Sequence, residues 1–270
     1  MSCACGHNHN HSPPVGLSGK TIPLDRPLVA LQGKLICADA AQMMLALDLL
    51  PEHAELSRAE PGNLRFDVVQ SQDDPLAWTL VELYADADAF QAHRTRLRDS
   101  RWGQHSAGIK RDFNRSTVLP KLRPETPQDH AAIAALLTRA FDAPQEAGLV
   151  AALRAAGDLA LSLVAEVEGT VIGHIALSPL GADGPAMALA PLAVHPALQG
   201  RGIGTALVQA ALAAFDDHSI VVLGDPTFYA RFGFAHAALD SPYAGPYLLM
   251  RGPGLAPGDQ ITHAPAFAAL

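Results

Sequence analysis

With 270 residues, 49% of them apolar, the chain is long for one domain and carries enough hydrophobic material for two modest cores. A net charge of −8 argues against the basic stripe that a nucleic-acid partner needs, and the longest apolar runs are far too short to cross a bilayer, so neither nucleic acid nor membrane is an expected partner. The three cysteines, Cys3, Cys5 and Cys37, are too few for a disulfide framework, and no basic-then-apolar leader opens the chain, so a reducing cytoplasm is the expected location.

Residues 1–21 read as a disordered Cys/His-rich tail with little to bury. Cys3, Cys5, His7, His9 and His11 place five soft or borderline ligands within nine residues, a density that chelates divalent metal such as zinc, copper or nickel. The alternating spacing matches no zinc finger. Two readings therefore stand: metal storage, delivery or sensing, or adventitious binding by a tail.

Residues 22–118 read as a first unit. A strand runs from Leu28 to Cys37, and a helix follows from Asp39, a plausible N-cap, to Ala59, with Met43, Leu47 and Leu50 at helical spacing. The Glu60-Pro61-Gly62-Asn63 turn leads to a strand alternating at Leu64, Phe66 and Val68. Asp73-Asp74-Pro75 then turns the chain into a second strand, Trp78 to Tyr84. A helix from Asp86 to Trp102 and a strand from Gly108 to Asn114 complete a strand-helix-strand-strand-helix-strand order, the ferredoxin-like α+β arrangement.

Leu119-Pro120-Lys121 marks a boundary, and residues 119–270 read as a second unit. Ile133, Leu136, Leu137, Ala140 and Phe141 form an amphipathic stripe, and a further helix covers 144–156. Strands are predicted at 160–167, 171–179, 186–194 and 219–223. Between the last two lies Gln199-Gly-Arg-Gly-Ile-Gly204-Thr205, followed by a helix to Phe215. Gly200, Gly202 and Gly204 let the backbone turn its N–H groups toward a ligand, and the helix adds the positive end of its dipole. A phosphate is the natural guest.

A strand ending in His195-Pro196 before the Gln-x-x-Gly-x-Gly loop resembles the acetyl-CoA loop of the GNAT N-acetyltransferases, in particular their YhbS-like branch. Segments 123–129, 141–146, 161–166, 173–178, 224–234, 242–247 and 263–267 carry the likeness further. The resemblance implies an acyl-CoA N-acyltransferase fold with a central mixed sheet, and direct transfer of an acetyl group from acetyl-CoA to an amine of a small molecule or peptide. It implies that the strand at Leu192, Ala193 and Val194 splays from its neighbour and pairs with the pantetheine arm. Gln199, Gly200, Arg201, Gly202, Ile203, Gly204 and Thr205 would hold the pyrophosphate. Tyr229 would return a proton to the leaving thiolate, its alternative being an aromatic that packs beside the cofactor. Arg231 reads as a brace. The general base stays open among His174, Glu166 and Asp225, or an ordered water.

Glu60-Pro-Gly-Asn-Leu64, Asp74-Pro75, Glu82-Leu-Tyr84 and Phe90-Gln-Ala-His93 resemble the antibiotic-biosynthesis-monooxygenase (ABM) family. That likeness implies a homodimer through this unit, of the dimeric α+β barrel type, and, as in some members, oxidation of quinols without metal or flavin. His93 and Trp78 would be the residues to suspect, with Trp78 also readable as core. The phrase after His93 departs from the family into Arg94, Arg96, Arg98 and Arg101, which reads as a solvated face. The chain is thus expected to be a fusion with N-acetyltransferase activity. The alternatives are a quinol-type monooxygenase in the first unit or a non-catalytic acetyl-CoA sensor.

Overall fold

The computed structural model describes residues 21–269 and holds two sheets. Chain order begins with β1 (Ile22–Pro23), β2 (Leu28–Ile36), α1 (Ala40–Arg58), β3 (Asn63–Gln70), β4 (Ala77–Tyr84), α2 (Ala87–Asp99), α3 (Arg101–His105) and β5 (Lys110–Val118). The first sheet has the order β3-β4-β2-β5, all antiparallel, which is the ferredoxin-like topology. Asp39 caps α1 by accepting the Gln42 N–H at 2.9 Å, and Asp86 does the same for α2 from Ala89 at 2.8 Å. The single helix expected from Asp86 to Trp102 breaks at Ser100. Its hydroxyl donates to the Leu97 carbonyl and accepts from the Gly103 N–H, ending one helix and capping the next.

The second half runs β6 (Lys121–Pro124), α4 (His130–Phe141), α5 (Gln145–Ala156), β7 (Leu161–Val167), β8 (Thr170–Pro179), β9 (Ala186–Val194), α6 (Ile203–Ala214), β10 (Ser219–Leu223), α7 (Pro226–Tyr229), β11 (Ala235–His236) and β12 (Leu248–Arg251). These strands and β1 form one sheet, ordered β1-β6-β7-β8-β9-β10-β12-β11, in which β9 and β10 are the parallel pair. β1 pairs with β6, Ile22 opposite Leu122, so the start of the described chain lies on the second sheet. The boundary expected at Leu119-Pro120-Lys121 runs straight into β6, a strand because its backbone finds Leu163 to Glu166 of β7.

Alternation along these strands sends apolar side chains to both faces. Val164, Ala176 and Ala193 meet Ile133, Leu136 and Leu137 of α4 and Val150 of α5, while Leu163, Ile175 and Leu177 lie under α6. α6 rests directly on β8 at Gly173, where a Cβ would sit 3.0 Å from both Ile203 and Leu207. Leu28, Ala30, Leu64, Leu83 and Ala85 of the first half join the same apolar cluster as α6, so the two sheets share a core.

On the α4–α5 face lies a buried polar chain. The Arg154 guanidinium donates to both Glu125 carboxylate oxygens at 2.8 Å, Ser162 donates to Glu125, and His174 Nε2 lies 2.9 Å from the Ser162 oxygen. Burial holds the fully enclosed His174 down at about 4, although the Glu125 carboxylate pulls the other way. His195 is likewise held at about 4, by burial and by the Arg139 guanidinium.

Below pH 6.5 the unfolded chain takes up protons at these two histidines that the folded chain refuses until about pH 4. Stability should therefore fall as pH drops through this window, by at most about 3 kcal/mol per histidine. The melting temperature measured from pH 7 to pH 5 is expected to decline, and His174→Gln to flatten part of the decline. A melting temperature independent of pH over this range would count against buried neutral histidines.

Candidate active site

β9 and β10 hold hydrogen-bond register for three pairs only, Ala186 with Ser219, Met187 with Ile220 and Ala188 with Val221. Beyond them the strands part. On its other side β9 keeps β8, but an extra residue at Ala190–Pro191, joined by a cis peptide bond, bulges it before Leu192, Ala193 and Val194 resume register with Ile175, His174 and Gly173. The β10-facing edge of β9 is thus left without a strand partner, and two cavities open along it.

The first cavity, about 360 Å³, lies where the strands separate, between Ala188–Leu192, Val221–Gly224 and Tyr229. The second, about 370 Å³, is lined by Leu192, Val194, Gln199, Gly200, Gly202–Thr205, Phe228 and Arg231. They meet at Leu192, a wall residue of both. Gly200 and Gly202 carry φ of +75° and +83°, the left-handed region in which a side chain is strained. α6 starts at Ile203, so the first N–H groups of the helix have no acceptor within it and face the loop.

The seven loop residues named from the sequence form this turn, six of them in the wall of the second cavity. The Arg201 side chain does not turn to the loop. It donates to the Ala85 carbonyl at 3.0 Å and to the Asp86 carboxylate, so only its backbone serves the loop. Asp86 thereby caps α2 and holds Arg201 at once. Arg26, not singled out from the sequence, donates to the Arg201 carbonyl and lies against Gly202, where a Cβ would approach its guanidinium to 2.9 Å. No local pattern flags Arg26, because its partner is 175 positions away.

Tyr229 ends α7, buried against Phe228 and Phe234 at ring separations of 4.9 and 5.4 Å. Gly224 is required beneath it, since a Cβ there would fall 2.3 Å from the ring. Burial pushes the phenol well above its ordinary value, so it stays protonated at neutral pH. Arg231 stacks on Phe228 at 4.6 Å and donates to its carbonyl at 2.9 Å, acting as a brace.

The three histidine and carboxylate candidates for the base are placed elsewhere or engaged. His174 is shut into the Glu125–Ser162 chain on the α4–α5 face. Glu166 accepts the Gly169 N–H at 2.6 Å and pairs with Arg123 and Lys121. Asp225 caps α7 through the Thr227 N–H at 2.9 Å. The far wall of the first cavity instead carries Glu146 and His263, side chains that sequence reasoning had placed only inside matching segments.

In the first half, Trp78 packs into the core with Leu35, Leu50 and Phe66. His93 is 3% exposed, with Nδ1 3.0 Å from Glu60 and Nε2 3.9 Å from Glu82. Arg96 is not on a solvated face as expected. It turns inward to Glu60 at 2.8 Å, Ser57 at 2.7 Å and His53 at 3.2 Å. The ring of His93 is committed to this ionic packing rather than offered to solvent. Cys3, Cys5, His7, His9 and His11 lie outside the described residues. Among the described residues no group of three or more His, Cys, Asp or Glu could hold a metal ion, and no helix is long and apolar enough to cross a membrane.

Parted parallel strands that run into a glycine-lined helix N-terminus define the acyl-CoA N-acyltransferase fold. The sequence profile of the acetyltransferase (GNAT) family matches residues 130–234, and that of antibiotic biosynthesis monooxygenase matches residues 37–98. The uncharacterized N-acetyltransferase YhbS of Escherichia coli K12 is 43% identical over 124 residues, covering 43% of this chain and 74% of that protein. The uncharacterized N-acetyltransferase YjhQ of the same strain is 41% identical over 120 residues, 41% of this chain and 66% of that one. The crystal structure of E. coli YhbS in complex with CoA superposes with a TM-score of 0.51 at 32% identity, over 55% of this chain and 92% of that one. The chain belongs to the GNAT family of N-acetyltransferases, with an ABM-matching segment N-terminal to the acetyltransferase region.

Gly202→Ala should destabilise the fold by about 1–2 kcal/mol, from left-handed strain together with contact on Arg26. Arg26→Ala on that background should restore the part owed to contact and leave the strain. A double-mutant cycle by chemical denaturation measures both, and strict additivity would show that Arg26 does not bear on the loop.

Proposed function

We propose that the chain transfers an acetyl group from acetyl-CoA directly to an amine of a small molecule or peptide, using the cleft between β9 and β10. The observation that carries this is the unpaired edge of β9 leading without interruption into the Gly200–Thr205 helix N-terminus. A thioester laid along Leu192, Ala193 and Val194 would pair its pantetheine amides with that edge, and its carbonyl would be polarised by a backbone N–H. The pyrophosphate would sit on the amides of Gln199 to Thr205, with Arg26 close by at Gly202. The CoA complex of E. coli YhbS supports the same class of ligand.

Chemistry in this reading needs a neutral amine, a fixed thioester and a proton for the departing sulfur. Tyr229 is the proton donor, since it lines the cavity at the strand divergence and stays protonated. The chain is read as two units, 22–118 and 119–270, with the first holding the second's loop through Asp86 and Arg201. That first unit is also read as the dimer contact: β3 and β5 are free sheet edges, and Val69 on β3 is 63% exposed.

Calorimetric titration should give one acetyl-CoA site per chain. Tyr229→Phe should lower kcat by about 10²-fold or more while acetyl-CoA affinity changes only a few-fold. Unchanged turnover in that variant would remove Tyr229 as the acid, and absent acetyl-CoA binding would remove the reading as a whole.

A further inference from the structure

One side of the first cavity is formed by α5 and the C-terminal segment, away from the β9 edge. Its wall there is largely apolar and aromatic, with Phe141, Leu149, Leu248 and Phe267 contributing. Into it come Glu146, from the first turn of α5, and His263, from the C-terminal segment. Each holds one buried polar atom, Glu146 Oε2 and His263 Nδ1, without a hydrogen-bond partner among the described residues. Buried polar atoms are normally paired, so two side chains with incomplete hydrogen bonding on one apolar cavity wall are the polar groups that a ligand there would meet.

The His263 segment is held firmly. Gly181 and Thr262 exchange both backbone hydrogen bonds, at 2.9 and 2.8 Å, and the Ile261 N–H donates to Asp240 at 3.0 Å. The His263 ring stands edge to face on Tyr243 at 5.0 Å and against Phe267 at 4.9 Å, while the Tyr243 hydroxyl donates to the Phe267 carbonyl at 3.2 Å. A histidine clamped between two rings presents its nitrogen in a fixed direction. The titratable groups of the cavity wall are Glu146, His263, Tyr229 and Tyr243.

We propose that this end of the cavity is the acceptor subsite, that it takes a small monoamine with an apolar or aromatic body, and that Glu146 holds its ammonium while His263 takes its proton. The inference rests on the acetyl-CoA reading above. Burial keeps His263 below its usual value and hence neutral at pH 7, as a base must be. The ammonium gives one proton to His263. The freed nitrogen pair attacks the thioester carbonyl, the C–N bond forms and the C–S bond breaks. The departing thiolate takes the Tyr229 proton, and the second proton of the new amide nitrogen returns to the tyrosine oxygen. The products are amide, CoA thiol and one proton carried away from His263. A polyamine fits poorly, because one carboxylate can pair one ammonium and a second would lie unpaired against apolar walls.

The full-length protein is assayed with acetyl-CoA and 2-phenylethylamine, spermidine or a short lysine-containing peptide, alongside acetyl-CoA titrations. 2-Phenylethylamine should be the best acceptor by kcat/KM. Glu146→Gln should raise its KM about tenfold or more with kcat nearly unchanged, and His263→Gln should lower kcat about 10²-fold with KM little changed. Both variants should bind acetyl-CoA like the parent. Equal or better turnover of spermidine or the peptide overturns the substrate class. Variants that keep parental kinetics overturn the residue roles. Acetyl-CoA binding without turnover of 2-phenylethylamine also overturns the proposal while leaving the acetyl-CoA reading intact, and loss of acetyl-CoA binding in the parent sinks both.

Discussion

β9 and β10 can share register only as far as Ala188 and Val221, and the rest of the site depends on that early end. A parallel pair that continued would satisfy every backbone group between the strands and close the space that both cavities occupy. Three features keep the strands apart. Pro191 brings no N–H to an edge, the bulge at Ala190–Pro191 turns β9, and the Tyr229 ring stands over Gly224 where β10 ends. The divergence leaves β9 held from one side by β8, so its free edge is rigid as well as exposed to ligand. Strand and loop are then continuous, from Leu192 through His195 to the first turn of α6.

The second support of the site comes from outside the acetyltransferase segment. Asp86 is an N-cap in the first half of the chain and an anchor for Arg201 in the second, and Arg26 grips the same loop from the other side. The exposed ionic part of this contact contributes little by itself, since such pairs are screened by water. It is the shared apolar cluster, with Leu28, Leu64 and Leu83 beside Ile203 and Leu207, that holds the halves together; the ion pair sets the loop's orientation. The ABM-matching segment therefore stands in contact with the acetyltransferase site, while its own His93 is packed among Glu60, Glu82 and Arg96.

Motifs of local origin were legible in the chain. The Gly200–Gly202–Gly204 loop, the cap at Asp39, the stripe of Ile133, Leu136 and Leu137, and the core position of Trp78 all follow from residues within a few positions of one another. β6 and β12 were not legible, because a four-residue strand has too few residues to show alternation and exists only by pairing with β7 or β10. Arg96 looked like one of four solvent-facing arginines. It turned inward because Glu60, 36 positions earlier, needed a counter-charge in a low-dielectric setting.

The amino-acid sequence by itself determined the two-part order and the glycine loop, since each rests on local spacing and on the hydrophobic period of its own element, and its motifs carried the resemblance to the family. Only the tertiary structure decided which side chains face the cleft. His174, Glu166 and Asp225 were drawn into capping or ionic contacts by neighbours distant in sequence or by the turn they close, whereas Glu146 and His263, 117 positions apart by their numbers, were brought to one cavity. Spacing along a chain encodes the period of a helix or strand. It does not encode which elements the packing of a sheet will set side by side.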